Sequence, residues 1–285
     1  MTLSVAWVRT VNRVSELVFA SDSRLSGGQR WDGCPKIVAL PRSDCMISFA
    51  GETDYAYPLM LQMINGINFH PPSRERRTDI ATARHIALDV FNQMRSAVHG
   101  EYADFPRDPG VRFIFGGFSW ADQAFRIWTL HYDEGIDRFT FRPAMPWRGQ
   151  RGKSMKVVAW IGDDDAVRAA KFMLTETLRD REKLSTGGLD MEPFEVLRDI
   201  IRSREFRTVG GAPQVAKVYR SLRTQYFGVR WPDAEGAVHA AGRPQHAYET
   251  FALPEILPDS PAIHSRTARL RDERAWQVDE DQEDV

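Results

Sequence analysis

The chain opens Met1-Thr2-Leu3-Ser4-Val5-Ala6-Trp7-Val8, and the alternating apolar stretch from Leu3 to Val8 reads as a β-strand. Further strand signals follow at 17–21, 36–40 and 45–50, separated by polar or glycine-bearing turns such as Ser26-Gly27-Gly28. Four short strands with tight connections describe an antiparallel meander, so the fold is decided within the first fifty or so residues. Met1 precedes a small residue and is ordinarily trimmed in cells. The mature chain is therefore expected to begin at Thr2.

Working outward, two helical patterns cover 53–67 and 78–99, with the polar Pro71-Pro72-Ser73-Arg74-Glu75-Arg76-Arg77 as the break between them. In the second, Ile80, Ile86, Ala87, Val90, Phe91 and Met94 fall near helical spacing and form one apolar face. Strands return at 111–119, 124–132, 138–142 and 156–161; helices are expected at 166–184 and 193–204, and the last strands at 214–219 and 224–231. This order is that of an α+β protein, a four-layer αββα sandwich in which helices cover the outer faces of two stacked antiparallel sheets. From Pro232 the composition shifts to Pro, Ala, His and polar residues. The expected organisation is one domain over 1–231 and a C-terminal extension over 232–285, ending in a solvated acidic tail.

Of the 285 residues, 42% are hydrophobic and 27% charged, which suits a soluble core-forming chain. The 38 Lys and Arg against 39 Asp and Glu leave a net charge of −1, so no global field recruits nucleic acid or an anionic membrane. Cys34 and Cys45 cannot build a disulfide scaffold, form no C-x-x-C pair, and read as buried reduced thiols. Arg9, Thr10, Asn12 and Arg13 interrupt the first apolar stretch, and no run approaches the roughly 18 apolar residues of a membrane helix. A cytoplasmic protein is expected. The seven histidines show no metal-ligand spacing, and Asp163, Asp164 and Asp165 suit a helix start through the helix dipole, so neither metal nor cofactor is expected. No G-x-x-x-x-G-K-[ST] occurs, so any ATP-driven step belongs to a separate partner.

An N-terminal threonine supplies a hydroxyl nucleophile and an α-amine that can serve as its base. That amine titrates near pH ~7.7–8.0, so a nearby ammonium can keep it neutral at working pH. Lys36, opening a strand of the same meander, can reach the first residue of an adjacent strand, and Asp22 at the end of the second strand can pair with it. Singly, each has a plainer explanation: an ordinary second residue, a solvated edge lysine, a turn aspartate.

Taken together, these residues resemble the proteasome β-type subunits and their bacterial relatives within the N-terminal-nucleophile hydrolases. Thr2-Leu3-Ser4-Val5-Ala6 is similar to the family's opening strand and Phe19-Ala20-Ser21-Asp22-Ser23-Arg24 to its A-x-D-S-R block. Cys34-Pro35-Lys36-Ile37 resembles the segment carrying the family lysine, Ser48-Phe49-Ala50-Gly51 the strand end with its A-G, and Val209-Gly210-Gly211 the later S-G-G turn. The resemblance spans 2–231 and implies a threonine-type peptidase.

It further implies that Thr2 Oγ1 is the nucleophile, that Asp22 and Lys36 orient and tune it, and that the Gly51 N–H stabilises the oxyanion. Ser26 would lie beside a bound peptide's main chain, and Phe49 with Thr53 would line the pocket for the side chain preceding the cleaved bond. Substrate would be a peptide or unfolded protein, handled by a homo-oligomeric ring with a separate unfoldase. Two departures stand out. Asp163 follows Gly162 where the family commonly has serine, and Phe206 and Val209 replace the aspartate and serine around the S-G-G turn. Asp163 or Glu205 would supply the supporting contacts, although Asp163 also suits an N-cap. A catalytically silent scaffold subunit and a small-molecule amidase on the same fold are the other readings.

Overall fold

The computed structural model describes residues 2–98, 108–146, 156–231 and 236–261. One sheet contains β1 (Leu3–Val11), β2 (Val14–Ser21), β10 (Val158–Gly162), β11 (Gln214–Val218) and β12 (Thr224–Arg230), in the order β10-β1-β2-β11-β12. The other runs β5 (Ile37–Ala39), β6 (Cys45–Gly51), β7 (Val111–Ser119), β8 (Ala124–Asp133) and β9 (Arg138–Pro143) in chain order. Between β2 and β5 a two-stranded ribbon, β3 (Arg24–Leu25) with β4 (Trp31–Asp32), stands apart from both sheets. Apart from one short parallel pairing noted below, the strand pairings are antiparallel.

Side-chain alternation along β1 explains the layering. Leu3, Val5 and Trp7 point to an outer core completed by α4 (Asp164–Asp180) and α5 (Glu192–Ser203). Ala6 points the other way, into a layer between the sheets with Phe19, Met46, Ile114, Ala159 and Ala216. Several of these inner residues are small, which lets the sheets approach at normal stacking distance. The second sheet buries its outer face under α1 (Thr53–Asn68) and α3 (Ile80–Ser96) through Met60, Met63, Ala87 and Phe91. The four layers expected from the element order are those observed.

Differences from the sequence reading have local causes. Asp79 caps α3, accepting from Ala81 N at 3.0 Å, so that helix starts at Ile80; His99, its expected end, lies outside the described residues. Pro71–Arg74, expected as a break, forms a single helical turn, α2, with proline at its start. α4 ends at Asp180 and the chain then turns through Glu182 at φ 54°. Nor does the chain leave the sheet at 231. β13 (Val238–Ala240) pairs with β12, β14 (Arg243–Pro244) pairs with β13, and β15 (Glu255–Ile256) runs parallel beside β12. Ile256 joins the core under α5, while the acidic end lies outside the described residues.

The helix-covered face of the first sheet also holds buried charge. Glu16 Oε1 accepts from Arg9 Nη1 at 2.6 Å and from Lys217 Nζ at 2.8 Å, and Arg9 Nε donates to Asp190 Oδ1 at 2.7 Å. Burial pushes the Glu16 carboxyl up, but Lys217 and Arg9 outweigh it and hold it below the ordinary carboxylate range. Its stabilising contribution is thus present above its ordinary pKa and is lost as pH falls through its lowered folded value. Glu16→Gln, which leaves two buried cations underpaired, is expected to cost about 3–5 kcal/mol at pH 7. Urea denaturation of both proteins checks this, and the gap should narrow as the pH is taken into the acid range.

Candidate active site

Thr2 lies at the mouth of the inter-sheet layer and is 1% exposed. The antiparallel register continues past Leu3 opposite Gly162, and Asp163 N donates to Thr2 O at 3.1 Å. On the other side of β1, Asp22 follows the last residue of β2 and closes onto Leu3: Asp22 N donates to Leu3 O at 3.2 Å, and Leu3 N to Asp22 Oδ1 at 3.1 Å. Lys36, immediately before β5, reaches across from the second sheet. Its Nζ donates to Thr2 Oγ1 and to Asp22 Oδ1, the latter at 2.8 Å, with both side chains of the ion pair fully buried.

Asp22 is satisfied on both oxygens. Oδ1 takes Leu3 N and Lys36 Nζ, and Oδ2 takes Arg24 N at 3.2 Å and Gly210 N at 3.0 Å. All four partners are donors, so the carboxylate is the form that fits. Burial pulls the Lys36 ammonium below its ordinary pKa; Asp22, first among the opposing charges, offsets part of this. The result is an ammonium held on Thr2 Oγ1 by a carboxylate that four donors keep from turning away.

Gly51 ends β6 with φ +117°, and a Cβ there would lie 1.9 Å from Gly110 O, so only glycine fits. Phe49 N donates to Lys36 O at 3.3 Å. Residues two apart on a strand point their N–H groups the same way, so the Gly51 N–H faces the β5 side of β6, one step beyond Lys36. The buried Phe49 ring meets Tyr57 edge-on at 5.1 Å, and burial pushes the Tyr57 hydroxyl up to about 12. Ser26 is half-buried just beyond β3, and Thr53 half-buried at the first position of α1. Glu205 is exposed, its N–H on Ser203 Oγ, and stays outside this cluster. The hydroxyl that reaches Asp163 is that of Thr208, which donates to Asp163 Oδ2.

Several positioning residues escaped the sequence reading. Gln214 Oε1 accepts from Lys36 N at 3.0 Å, while Nε2 donates to Cys34 O at 2.7 Å, Asp22 O at 3.1 Å and Ser23 Oγ at 3.2 Å. The one available signal was an amide opening a strand that is apolar apart from Lys217. Ser4 and Ser21 share a hydrogen bond beneath Thr2, and Ser4 Oγ donates to Phe49 O at 3.3 Å, tying the two sheets. Arg24 grips Asp32 with two bonds, at 2.6 and 2.9 Å, and its Nη1 donates to Val209 O at 3.1 Å. The hydrogen bond from Arg24 holds the Asp32 carboxyl at about 2.

Among the described residues no group of three or more His, Cys, Asp and Glu could hold a metal ion, and no helix is long and apolar enough to cross a membrane. Gln214→Ala would leave the buried Lys36 N–H and the Cys34 and Asp22 carbonyls without their partner. The expected cost is about 1–3 kcal/mol for such buried groups, read as a lowered thermal midpoint, with Gln214→Glu failing to restore it because a carboxylate cannot donate to those carbonyls.

No family model matches the sequence, and no curated protein matches it either. Among solved structures, the chain is similar to a mutant form of Anbu from Hyphomicrobium sp. strain MC1. The TM-score is 0.54 at 18% sequence identity, covering 79% of this chain and 87% of that one. At that identity the likeness is one of fold, and it agrees with the layer order and the antiparallel sheets described above: the chain shares the four-layer α+β sandwich of that structure.

Proposed function

We propose that this protein is a threonine-type peptidase, an amide-bond hydrolase whose nucleophile is Thr2 once Met1 is removed. The single observation that carries the reading is the Lys36 ammonium on Thr2 Oγ1, itself paired with buried Asp22 at 2.8 Å. An ordinary second residue would have no need of a fully buried lysine and its counter-ion.

In this reading Thr2 Oγ1 attacks the scissile carbonyl and a C–O bond forms. Its proton passes to the α-amine and on to the leaving nitrogen as the C–N bond breaks. Water then attacks the ester, the same amine taking and returning the proton, which frees Oγ1. Lys36 favours the developing alkoxide through its charge, and Asp22 keeps that charge in place. The Gly51 N–H, a backbone donor that no side chain can replace, stabilises the oxyanion. Tyr57 and Thr53 supply the wall on which a substrate side chain rests, with the buried Phe49 ring packed edge-on behind Tyr57, and Ser26 lies beside its main chain. The substrate is a peptide or an unfolded protein, taken up in the cytoplasm by a homo-oligomeric ring served by a separate unfoldase.

Intact mass of the purified protein should show loss of Met1. A threonine-directed electrophile should then label Thr2, and Thr2→Ala should abolish both labelling and hydrolysis of peptide reporters, a loss of at least about 10³-fold for removal of the nucleophile. Labelling that survives Thr2→Ala would overturn the assignment. A retained Met1 with no hydrolysis would favour a scaffold subunit.

A further inference from the structure

β10 has β1 on one side and, among the described residues, no strand on the other. Pro146 forms an isolated bridge with Val157, just before β10 begins. The register tells which backbone groups are left over. Val8 N donates to Val157 O at 3.0 Å and Asp163 N to Thr2 O at 3.1 Å, so the alternate residues between them, Ala159 and Ile161, exchange hydrogen bonds with β1. Trp160 and Gly162 therefore turn their N–H and C=O away from β1, toward the open edge.

A cavity of about 470 Å³ lies along this edge. Val158 and Trp160 line it from β10, Lys171 and Thr175 from α4, Thr129 from β8, and Ala144 from just after β9. Trp160 is 9% exposed, and its indole N–H is shielded from solvent with no partner among the described residues. A buried donor in that state is costly until an acceptor arrives. Lys171 is the cation of the lining. The acids near it on the same helix are already engaged, Asp165 by Arg168 and Glu176 by Arg179.

We propose that this edge is a docking site for an extended segment of another polypeptide, which adds to the sheet beside β10 and carries carboxylate side chains on its α4-facing side. The sheet geometry sets that chemistry. A residue opposite Trp160 on an added strand exchanges both backbone hydrogen bonds with it, and its side chain falls on the same face as the Trp160 ring. That ring packs on the α4 side with Ala170 and Leu174, where Lys171 and Thr175 offer a cation and a hydroxyl to a carboxylate. The neighbouring residues of the segment turn to the opposite face with Ala159, toward Thr129 and Ala144, where short apolar side chains fit. The pattern recognised is an alternation of acidic and short apolar residues in extended form. An oxygen of the same segment is the acceptor that the Trp160 indole lacks. The inference needs no assumption about the chemistry of Thr2.

The probe is the peptide Val-Glu-Val-Glu-Val, labelled with fluorescein at its N-terminus and amidated at its C-terminus, with Val-Lys-Val-Lys-Val as the charge-reversed counterpart. Fluorescence anisotropy against the full-length Thr2→Ala protein, which cannot use Thr2 to cleave the probe, should show saturable binding of the acidic peptide, about tenfold tighter than the basic one. Lys171→Gln should weaken it about two- to fivefold, the size of an exposed ion pair, and more at low salt. Trp160→Phe, which keeps an aromatic ring and removes the N–H, should weaken it about two- to tenfold. N-methylation of both glutamate amides of the probe should abolish binding, and hydrogen exchange at the Trp160 amide should slow at saturating probe. Lys171 is on the surface, so its variant stays informative if Trp160→Phe fails to fold. Equal affinity for the two probes, affinity that neither substitution changes in folded protein, or no saturable binding up to about 1 mM overturns the proposal. A dimer lost in Lys171→Gln and not displaced by the acidic probe would give this edge to a second copy of the chain, and overturns it as well.

Discussion

A lysine ammonium with no solvent exposure is the constraint around which the rest is arranged. Taking an isolated ion out of water costs several kcal/mol, and one carboxylate at 2.8 Å offsets this only if that carboxylate is itself satisfied. The remaining donors to Asp22 come from Leu3 on β1, Arg24 on β3 and Gly210 in the turn before β11. Those segments are far apart in sequence, so the pair is complete only when both sheets and the turn are assembled. The site is in this sense a condition of the fold. An arrangement that misplaced any of the three would leave a charge buried without its partner.

The register of β1 makes the charge useful. Odd positions carry Leu3, Val5 and Trp7 into the apolar core beneath α4 and α5, and even positions carry Thr2, Ser4 and Ala6 toward the opposite sheet. A slip by one residue would put the Thr2 hydroxyl among leucines and turn Leu3 toward Lys36. Two independent costs, apolar exposure and an unmatched ammonium, both oppose that slip. The hydroxyls of Ser4 and Ser21 add a local lock, since their hydrogen bond exists in one pairing alone.

The legible part of this structure is the part governed by local periodicity. Alternation in β1 and β2 and helical spacing in α1, α3 and α5 lie within short windows, and the sequence reading placed each of them to within a few residues. Thr2, Asp22 and Lys36 became legible through their joint placement in one meander. What escaped was decided by distant partners. Gln214 joins Lys36 and Cys34 across most of the chain, and nothing beside it in sequence announces the clamp. The resemblance offered Glu205 as a supporting acid; the geometry of the turn brought the Thr208 hydroxyl to Asp163 and left the Glu205 carboxylate in solvent. The helical pattern of α4 ran on to Leu184 because that residue is apolar, whereas the left-handed turn at Glu182 had already ended the helix.

The segment beyond Trp231 shows why composition is a poor guide to boundaries. Its strands are two or three residues long, too short for any periodicity to register, and their pairing depends on an edge that β12 offers. Yet a Cβ on Gly242, in the turn between β13 and β14, would lie 2.7 Å from Ser23 Oγ and 3.0 Å from Cys34 O. Those two atoms are both partners of Gln214 Nε2, which also holds the Asp22 carbonyl. The extension therefore closes the back of the cluster that faces Thr2 on its other side, packing against the groups that keep Lys36 and Asp22 in place. A segment whose composition reads as an arm is, through one backbone contact, part of the wall behind Thr2.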